Sequence, residues 1–352
     1  MKSTILTLFI PSYNRSTRLE QNIYHIFGEI EKSNLNSKVA VLVGDNASAD
    51  STPLVCERAL NSSKEFGIEF EYFRNEVNLG LSGNIESGYF ASNSKWMMFL
   101  SDDDQLLPGA LAEACLQLEE TDPSLAIFNF NQPPYDFSNP LTQETKLVLS
   151  PYNYSELKTL VQWFKLTGVV IKIEKDERFC EELRLALSLS IYFPHIILSL
   201  FIFKFGNSIL QSRLFVGQPD DDFLDHVNFV PYITEYLVSE MEKFQNAFDP
   251  SSNHLQELIT GIQRNNIIDS SILSLISFYR GKTRLSRLIK RRLWSNIFRF
   301  ISRRRTTADS LFFGKIMART YLNLFLLAPI FLFHPLLLRT VRREKLLMPE
   351  GF

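Results

Sequence analysis

Cysteine is scarce in this chain. Cys56, Cys115 and Cys180 are odd in number and far apart, with no Cys-x-x-Cys pair and no histidine at ligand spacing. That argues against a disulfide framework or a structural zinc site and suits a reducing compartment. Phosphate-cradling glycine patterns are missing too: neither Gly-x-Gly-x-x-Gly nor Gly-x-x-x-x-Gly-Lys-Ser/Thr occurs, which disfavours a dinucleotide fold or a P-loop. No Gly-x-Ser-x-Gly elbow supports a hydrolase triad. Histidine is sparse, and His25, His195, His226, His254 and His334 form no metal constellation with one another. The first apolar run, Ile5–Ile10, stops at Pro11 and is too short for a secretory segment, so it reads as a buried strand. No internal repeat appears at solenoid spacing.

Charge is unevenly spread along the chain. Residues 281–305 contain no Asp or Glu, and residues 280–352 hold 17 Lys/Arg against 3 Asp/Glu. The rest of the 352 residues holds 20 basic and 36 acidic side chains, so a net charge of −2 conceals an acidic body and a basic tail. Such asymmetry points to a tail with its own partner. Leu285, Leu288, Ile289, Leu293, Ile297, Phe298 and Ile301 recur at helical spacing between the cations, and Tyr321–Leu338 follows as an apolar stretch interrupted by Pro329 and Pro335. A basic amphipathic helix followed by a kinked apolar segment reads as an interfacial membrane anchor. A basic helix lying on the acidic body is the alternative. Nucleic acid is disfavoured because the interleaved side chains form an apolar face.

With 45% apolar and 22% charged residues, the body has ordinary globular composition. Its first 130 residues alternate strand and helix signals. Strands are expected at Thr4–Ile10, Lys38–Gly44, Glu69–Arg74, Trp96–Leu100 and Leu125–Phe130. Helices are expected at about 16–32, 51–66, 84–92 and 108–120, with Ser51 and Thr52 as cap and Pro53 in the first turn. This alternation implies a parallel sheet covered on both faces. Leu166–Ile173 reads as a further strand, Leu183–Leu210 as two core helices or a helix and a strand, and 231–279 as an amphipathic helical region broken near Asp249-Pro250. Thirty phenylalanines suit the core, a lipid-facing surface or an oligomer interface.

In such sheets ligands lie beyond the carboxyl ends of the strands. Four polar loops sit there: Pro11-Ser12-Tyr13-Asn14-Arg15, Gly44 to Asp50, Asn75 to Asn84, and Ser101-Asp102-Asp103-Asp104-Gln105. Three consecutive carboxylates at a strand end repel one another, and a divalent cation would offset that repulsion. Carboxylate oxygens suit Mg2+ or Mn2+, which then bridge substrate phosphates. A solvated acidic turn before the helix near Pro108 explains the same residues. Asp220-Asp221-Asp222 follows no clear strand and reads as a solvated loop.

The set TLFIPSYNR, VGDNASADST, NEVNLGLSGN and FLSDDDQLLPG resembles a family-2 glycosyltransferase over about residues 4–130, thinning out by about 215. The third-strand motif and the Asp triplet are similar to those of bacterial transferases that build O-antigen or exopolysaccharide. The resemblance implies a GT-A fold, a mixed Rossmann-like α/β sheet, here with a C-terminal helical, membrane-associating extension. It implies a hexosyl- or deoxyhexosyl-transferase that uses a nucleotide-sugar donor and Mn2+ or Mg2+, with an inverting outcome. Pro11, Ser12, Tyr13 and Arg15 would line the nucleotide pocket. Asp45 would accept hydrogen bonds from the base, and Asn78, Gly80 and Asn84 would shape the floor under the ribose and phosphates. Asp103 would bind the metal, with Asp104 as its partner. Ser101 stands where the family's first Asp is usual, and Asp102 is the substitute the sequence offers.

An inverting transferase also needs a general base. The family's Glu-Asp pair has no clean counterpart here, and His195, ahead of an apolar helix, occupies the expected place. A core or capping histidine is the other reading; Glu181 and Glu182 are reserves on a solvated helix face. The resulting expectation is a transferase domain over 1–230, a helical region over 231–280, and an anchor over 281–352. It would act on a polyprenyl-linked saccharide acceptor at the cytoplasmic face of a bacterial inner membrane. A non-catalytic nucleotide-sugar-binding or scaffold member is the alternative.

Overall fold

The computed structural model describes residues 4–131, 146–150, 166–217 and 230–260. The basic and apolar tail and the Asp220–Asp222 triplet lie outside the described residues. The chain divides into two compact units, Met1–Asp222 with Glu240–Gln256, and Phe223–Ser239 with Glu257–Phe352. The second unit is helical where it is described, over 230–239 and 257–260. Among the described residues no helix is long and apolar enough to cross a membrane.

The first unit begins with three β–α steps and a fourth strand: β1 Leu6–Ser12, α1 Ser16–Lys32, β2 Val39–Asp45, α2 Thr52–Phe66, β3 Glu69–Arg74, α3 Gly80–Ala91 and β4 Trp96–Phe99. β1 and β2 are buried at every residue, as continuous apolar runs in the middle of a covered sheet must be. β3 is buried only at Phe70 and sits at the sheet's edge. In α1, Leu19, Ile23, Ile26, Phe27 and Ile30 form one buried stripe at helical spacing. Gly67, at φ 64°, ends α2, with the Ile68 amide returning to the Ser63 carbonyl. The sequence expected Ser51 to cap α2, but its side chain makes no cap bond. Asp50 supplies that bond, accepting from the Thr52 amide and hydroxyl.

Next come β5 Gln105–Leu106, α4 Ala110–Thr121, β6 Leu125–Asn131, β7 Lys146–Leu149, β8 Val169–Lys172, α5 Glu177–Ser188, α6 Pro194–Ile202 and β9 Ser208–Gly217. The last long helix, α7 Val230–Phe248, starts in the second unit and ends in the first. The apolar stretch over 183–210 thus holds two helices and the start of a strand.

The sheet runs β3-β2-β1-β4-β8-β6-β9-β5, with β7 on β9. The β3-β2-β1-β4 half is parallel. β8 then runs antiparallel to both β4 and β6. The all-parallel sheet that the alternation implied therefore ends at β4, and the sheet is mixed. The chain moves outward from β1 through β2 to β3, then returns to place β4 on the other side of β1. That reversal opens a crevice beyond the carboxyl ends of β1 and β4.

Candidate active site

The crevice brings the ends of β1 and β4 together. The Ser12 hydroxyl donates to Asp102 Oδ2 at 2.9 Å. Arg15, just before α1, sends Nη1 to Asp102 Oδ1 at 3.2 Å and to Asp103 Oδ2 at 2.8 Å. Arg18, one helical turn on, lies 3.5 Å from the same Asp103 oxygen. Ser101 holds the other Asp103 oxygen through its hydroxyl.

The three carboxylates are not equivalent. Asp102 and Asp104 are 4% and 2% exposed, while the Asp103 side chain keeps 14%. Burial pushes the Asp102 carboxyl up to about 6; the Arg15 guanidinium opposes this, the Asp103 charge reinforces it, and the Ser12 bond opposes it. For Arg15, burial works against the charge, but Asp102 and Asp103 outweigh it and raise the guanidinium further. Asp104 turns inward to the Thr167 hydroxyl, which also accepts from the Ser101 amide at 2.8 Å. Gly168 makes this crossing possible: at φ 88° a Cβ there would come within 2.6 Å of the Phe128 carbonyl oxygen. Thr167 gave no signal in sequence, because it meets Asp104 only across 63 residues.

The loops after β2 and β3 are tied by Asn46, which sequence reasoning passed over. Its Nδ2 donates to Asn78 Oδ1 at 2.7 Å and to the Gly80 carbonyl, and its Oδ1 accepts from the Leu79 amide at 2.9 Å. Asn84 sits beneath, donating to the Gly44 carbonyl at 2.8 Å. Asp45 is fully buried, its Oδ1 taking the Ser48 amide and its Oδ2 the Tyr72 hydroxyl at 2.9 Å. Asn14, at φ 56°, locks the loops after β1 and β2 together: its amide donates to the Ser48 hydroxyl, and its Oδ1 accepts from the Ala49 amide. Asp50 accepts from the Ser16 amide as well as from Thr52, so one carboxylate serves the starts of α1 and α2. Burial alone would raise it, but these hydrogen bonds prevail and lower it to about 2. Pro11 is buried at the end of β1, and Tyr13, just beyond, is 46% exposed.

A second layer fixes the turn between α5 and α6. Glu240, 3% exposed on α7, takes the Ile191 and Tyr192 amides on Oε1 and the Ser190 hydroxyl and Phe193 amide on Oε2. From the other side the Ser82 hydroxyl on α3 reaches the Ser190 carbonyl at 2.6 Å. This turn leads into α6, whose second residue is His195, 4% exposed with its ring beside Phe193. Glu181 is exposed and Glu182 pairs with Arg178, on the solvated face the sequence gave them.

The donor set suits a hard divalent cation. Asp103 offers oxygen ligands at the partly open end of β4, where two guanidiniums already gather. Among the described residues no group of three His, Cys, Asp or Glu side chains forms a closed metal cage. Mg2+-type sites use one or two carboxylates and take their remaining ligands from substrate phosphates and water.

Residues 7–170 match the family described as Glycosyl transferase family 2. Over 108 residues the chain is 30% identical to the GalNAc(5)-diNAcBac-PP-undecaprenol beta-1,3-glucosyltransferase of Campylobacter jejuni subsp. jejuni serotype O:2. That stretch is 30% of this chain and 32% of the relative, so the chain spans about a third of the curated relative it matches. The mannosyltransferase PcManGT from Pyrobaculum calidifontis, solved with GDP-Man and Mn2+, gives a TM-score of 0.53 at 13% identity, covering 90% of this chain and 81% of that one. S. aureus TarS 1–349 gives 0.49 at 12% identity, covering 74% and 70%. At these identities the structural likeness concerns the fold alone. The likeness to glycosyl transferase family 2 thus covers residues 7–170, a little under half of the chain.

Proposed function

We propose that this protein moves a sugar from a nucleotide-sugar donor to a hydroxyl of a polyprenyl-linked saccharide during bacterial surface-polysaccharide synthesis. The observation that carries this reading is the convergence of Ser12, Arg15, Asp102 and Asp103 in the crevice between β1 and β4. The loops after β1, β2 and β3 are clasped together beside it by Asn14, Asn46 and Asp50. The polyprenyl acceptor is supported by the undecaprenol-linked acceptor in the name of the Campylobacter relative.

In this reading Pro11, Ser12, Tyr13 and Arg15 flank the nucleotide. Asp45 shapes the base pocket from behind through Ser48 and Tyr72. Asn78, Gly80 and Asn84 hold the floor, and Asp102 steers Ser12 and Arg15. Asp103 would hold Mn2+ or Mg2+, with Asp104 behind it; PcManGT, of similar fold, was solved with Mn2+. Such an ion supplies charge neutralisation for a departing diphosphate. The protein's own part is to fix the donor in line with the acceptor hydroxyl and to aim guanidinium charge at the leaving group. His195 is the candidate base of an inverting transfer, and its burial makes opening of the α5–α6 turn part of that role. The basic, apolar segment over 281–352 would hold the enzyme against the cytoplasmic face of the inner membrane, next to a lipid-borne acceptor.

Two observations favour a second reading, a non-catalytic nucleotide-sugar-binding or scaffold role: Ser101 replaces the expected first carboxylate, and the candidate base is buried. The separating experiment incubates the full chain with UDP-, GDP-, CDP- and dTDP-sugars and an undecaprenyl-diphosphate-linked saccharide, and follows free nucleoside diphosphate and glycosylated lipid by mass spectrometry. Transfer abolished by Asp103→Ala supports the enzyme. Binding of a nucleotide sugar with neither transfer nor hydrolysis of any donor supports the scaffold. Deleting residues 281–352 should release the protein from membranes while preserving nucleotide binding; a truncated chain that still sediments with membranes contradicts the anchor.

A further inference from the structure

Arg18 is one helical turn beyond Arg15, and both guanidiniums reach the same oxygen, Asp103 Oδ2, at 3.5 and 2.8 Å. Both side chains are 45% exposed, whereas Asp103 is 14% exposed and Asp102 5%. No acidic side chain lies in the first turn of α1. Two half-exposed cations therefore share one carboxylate oxygen at the mouth of the crevice, backed by the positive end of a helix. A carboxylate held this way cannot take a divalent cation without setting two guanidiniums against it. A diphosphate arriving at the same place carries enough negative charge to attract both away.

We propose that Arg18 is a second diphosphate-binding residue, and that Arg15 and Arg18 exchange partners together, leaving Asp103 for the phosphate oxygens as the donor enters. Asp103 thereby takes a cation more readily when a diphosphate is present to occupy the guanidiniums. This deepens the donor-site reading above and rests on it. It makes cation and diphosphate mutually reinforcing ligands, each raising the affinity of the other by the same factor. It also gives Arg18 opposite effects on the two ligands taken separately. Removing its charge unburdens Asp103, a half-exposed ion pair whose loss shifts cation affinity by about 2–5-fold. The same change removes a charge-assisted bond to phosphate, which weakens diphosphate binding by about tenfold or more.

The test is calorimetry on the full chain and its Arg18→Gln and Arg18→Lys variants. Each is titrated with MnCl2 alone, and with UDP, GDP, CDP and dTDP in the presence of Mn2+. Arg18→Gln should bind Mn2+ more tightly than wild type and the preferred nucleoside diphosphate more weakly. Arg18→Lys, which keeps the charge, should hold the wild-type Mn2+ affinity and recover much of the diphosphate affinity. Arg18→Ala, which also removes the charge and is titrated in the same way, carries the test if the glutamine variant does not fold. Affinities that fall together, or a diphosphate affinity unmoved by either substitution, overturn the exchange while leaving the donor site intact. A wild-type chain that binds no nucleoside diphosphate overturns both.

Discussion

Glu240 offers the sharpest test of how the second layer supports the site. Its buried carboxylate accepts four hydrogen bonds, three from consecutive backbone amides at Ile191, Tyr192 and Phe193 and one from the Ser190 hydroxyl. A hydrogen bond to a charged acceptor contributes about 1.5–3 kcal/mol, and a buried donor stripped of its partner costs about 1–3 kcal/mol. The four bonds act as a unit and do not add, and water reaches a turn whose Ile191 and Tyr192 side chains are exposed. Breaking a buried charged network from one side typically costs about 3–5 kcal/mol, and Glu240→Ala should fall in that range. Glu240→Gln keeps an oxygen but turns an N–H toward the amides, and should cost about 1–3 kcal/mol. Urea denaturation measures the loss, and hydrogen exchange locates it. Exchange at Ile191–Phe193 should accelerate by about 100-fold or more, since each 1.4 kcal/mol is a factor of ten, with little change at the β1 amides. A Glu240→Ala variant within 1 kcal/mol of wild type, with unchanged exchange at these amides, would refute the reasoning.

Two further outcomes follow from the loops and the core. At Gly88 on α3 an added Cβ would lie 2.4 Å from ring carbons of Phe9 on β1, so Gly88→Ala should cost about 1–3 kcal/mol despite alanine's better helix propensity; a urea midpoint at or above wild type contradicts this. Asp50 is lowered to about 2 from an ordinary 3.8, so its contribution is present above the ordinary carboxylate range and lost as pH falls toward 2. The thermal midpoints of wild type and Asp50→Asn should therefore converge between pH 5 and pH 2, and a constant gap would show that the charge is not what Asp50 contributes.

What sequence could reveal here was local, and what it missed was distant. β1, β2 and β4 are legible because a strand buried on both faces has to be apolar throughout, and the polar residues that end each run mark the crevice. Arg15, Asp102 and Asp103 were candidates for that reason. α3 begins at Gly80 rather than near Asn84, because Gly-Leu-Ser-Gly reads as a turn until Asn46 fastens Asn78 and Leu79 in front of it. β5 and β7 are too short, at two and four residues, to leave a period. Thr167, Ser82 and Glu240 were illegible for a different reason. Each is an ordinary polar residue whose partner lies 63, 108 and about 50 positions away, so only the fold gives it a role. Ser51 was a fair cap by residue type, yet Asp50 also serves the start of α1, a second demand that no local pattern carries.

The central claim is that the crevice between β1 and β4 binds a nucleoside diphosphate through Asp103 and a divalent cation. Calorimetric titration of the full chain with UDP, GDP, CDP and dTDP, with and without Mn2+, tests it most directly when wild type is run beside Asp103→Ala. The account predicts tight binding of one diphosphate by wild type with Mn2+, and loss of that binding on removing either the metal or the Asp103 carboxylate. A folded wild-type protein that binds none of the four, or an Asp103→Ala variant that binds as well as wild type, would contradict it.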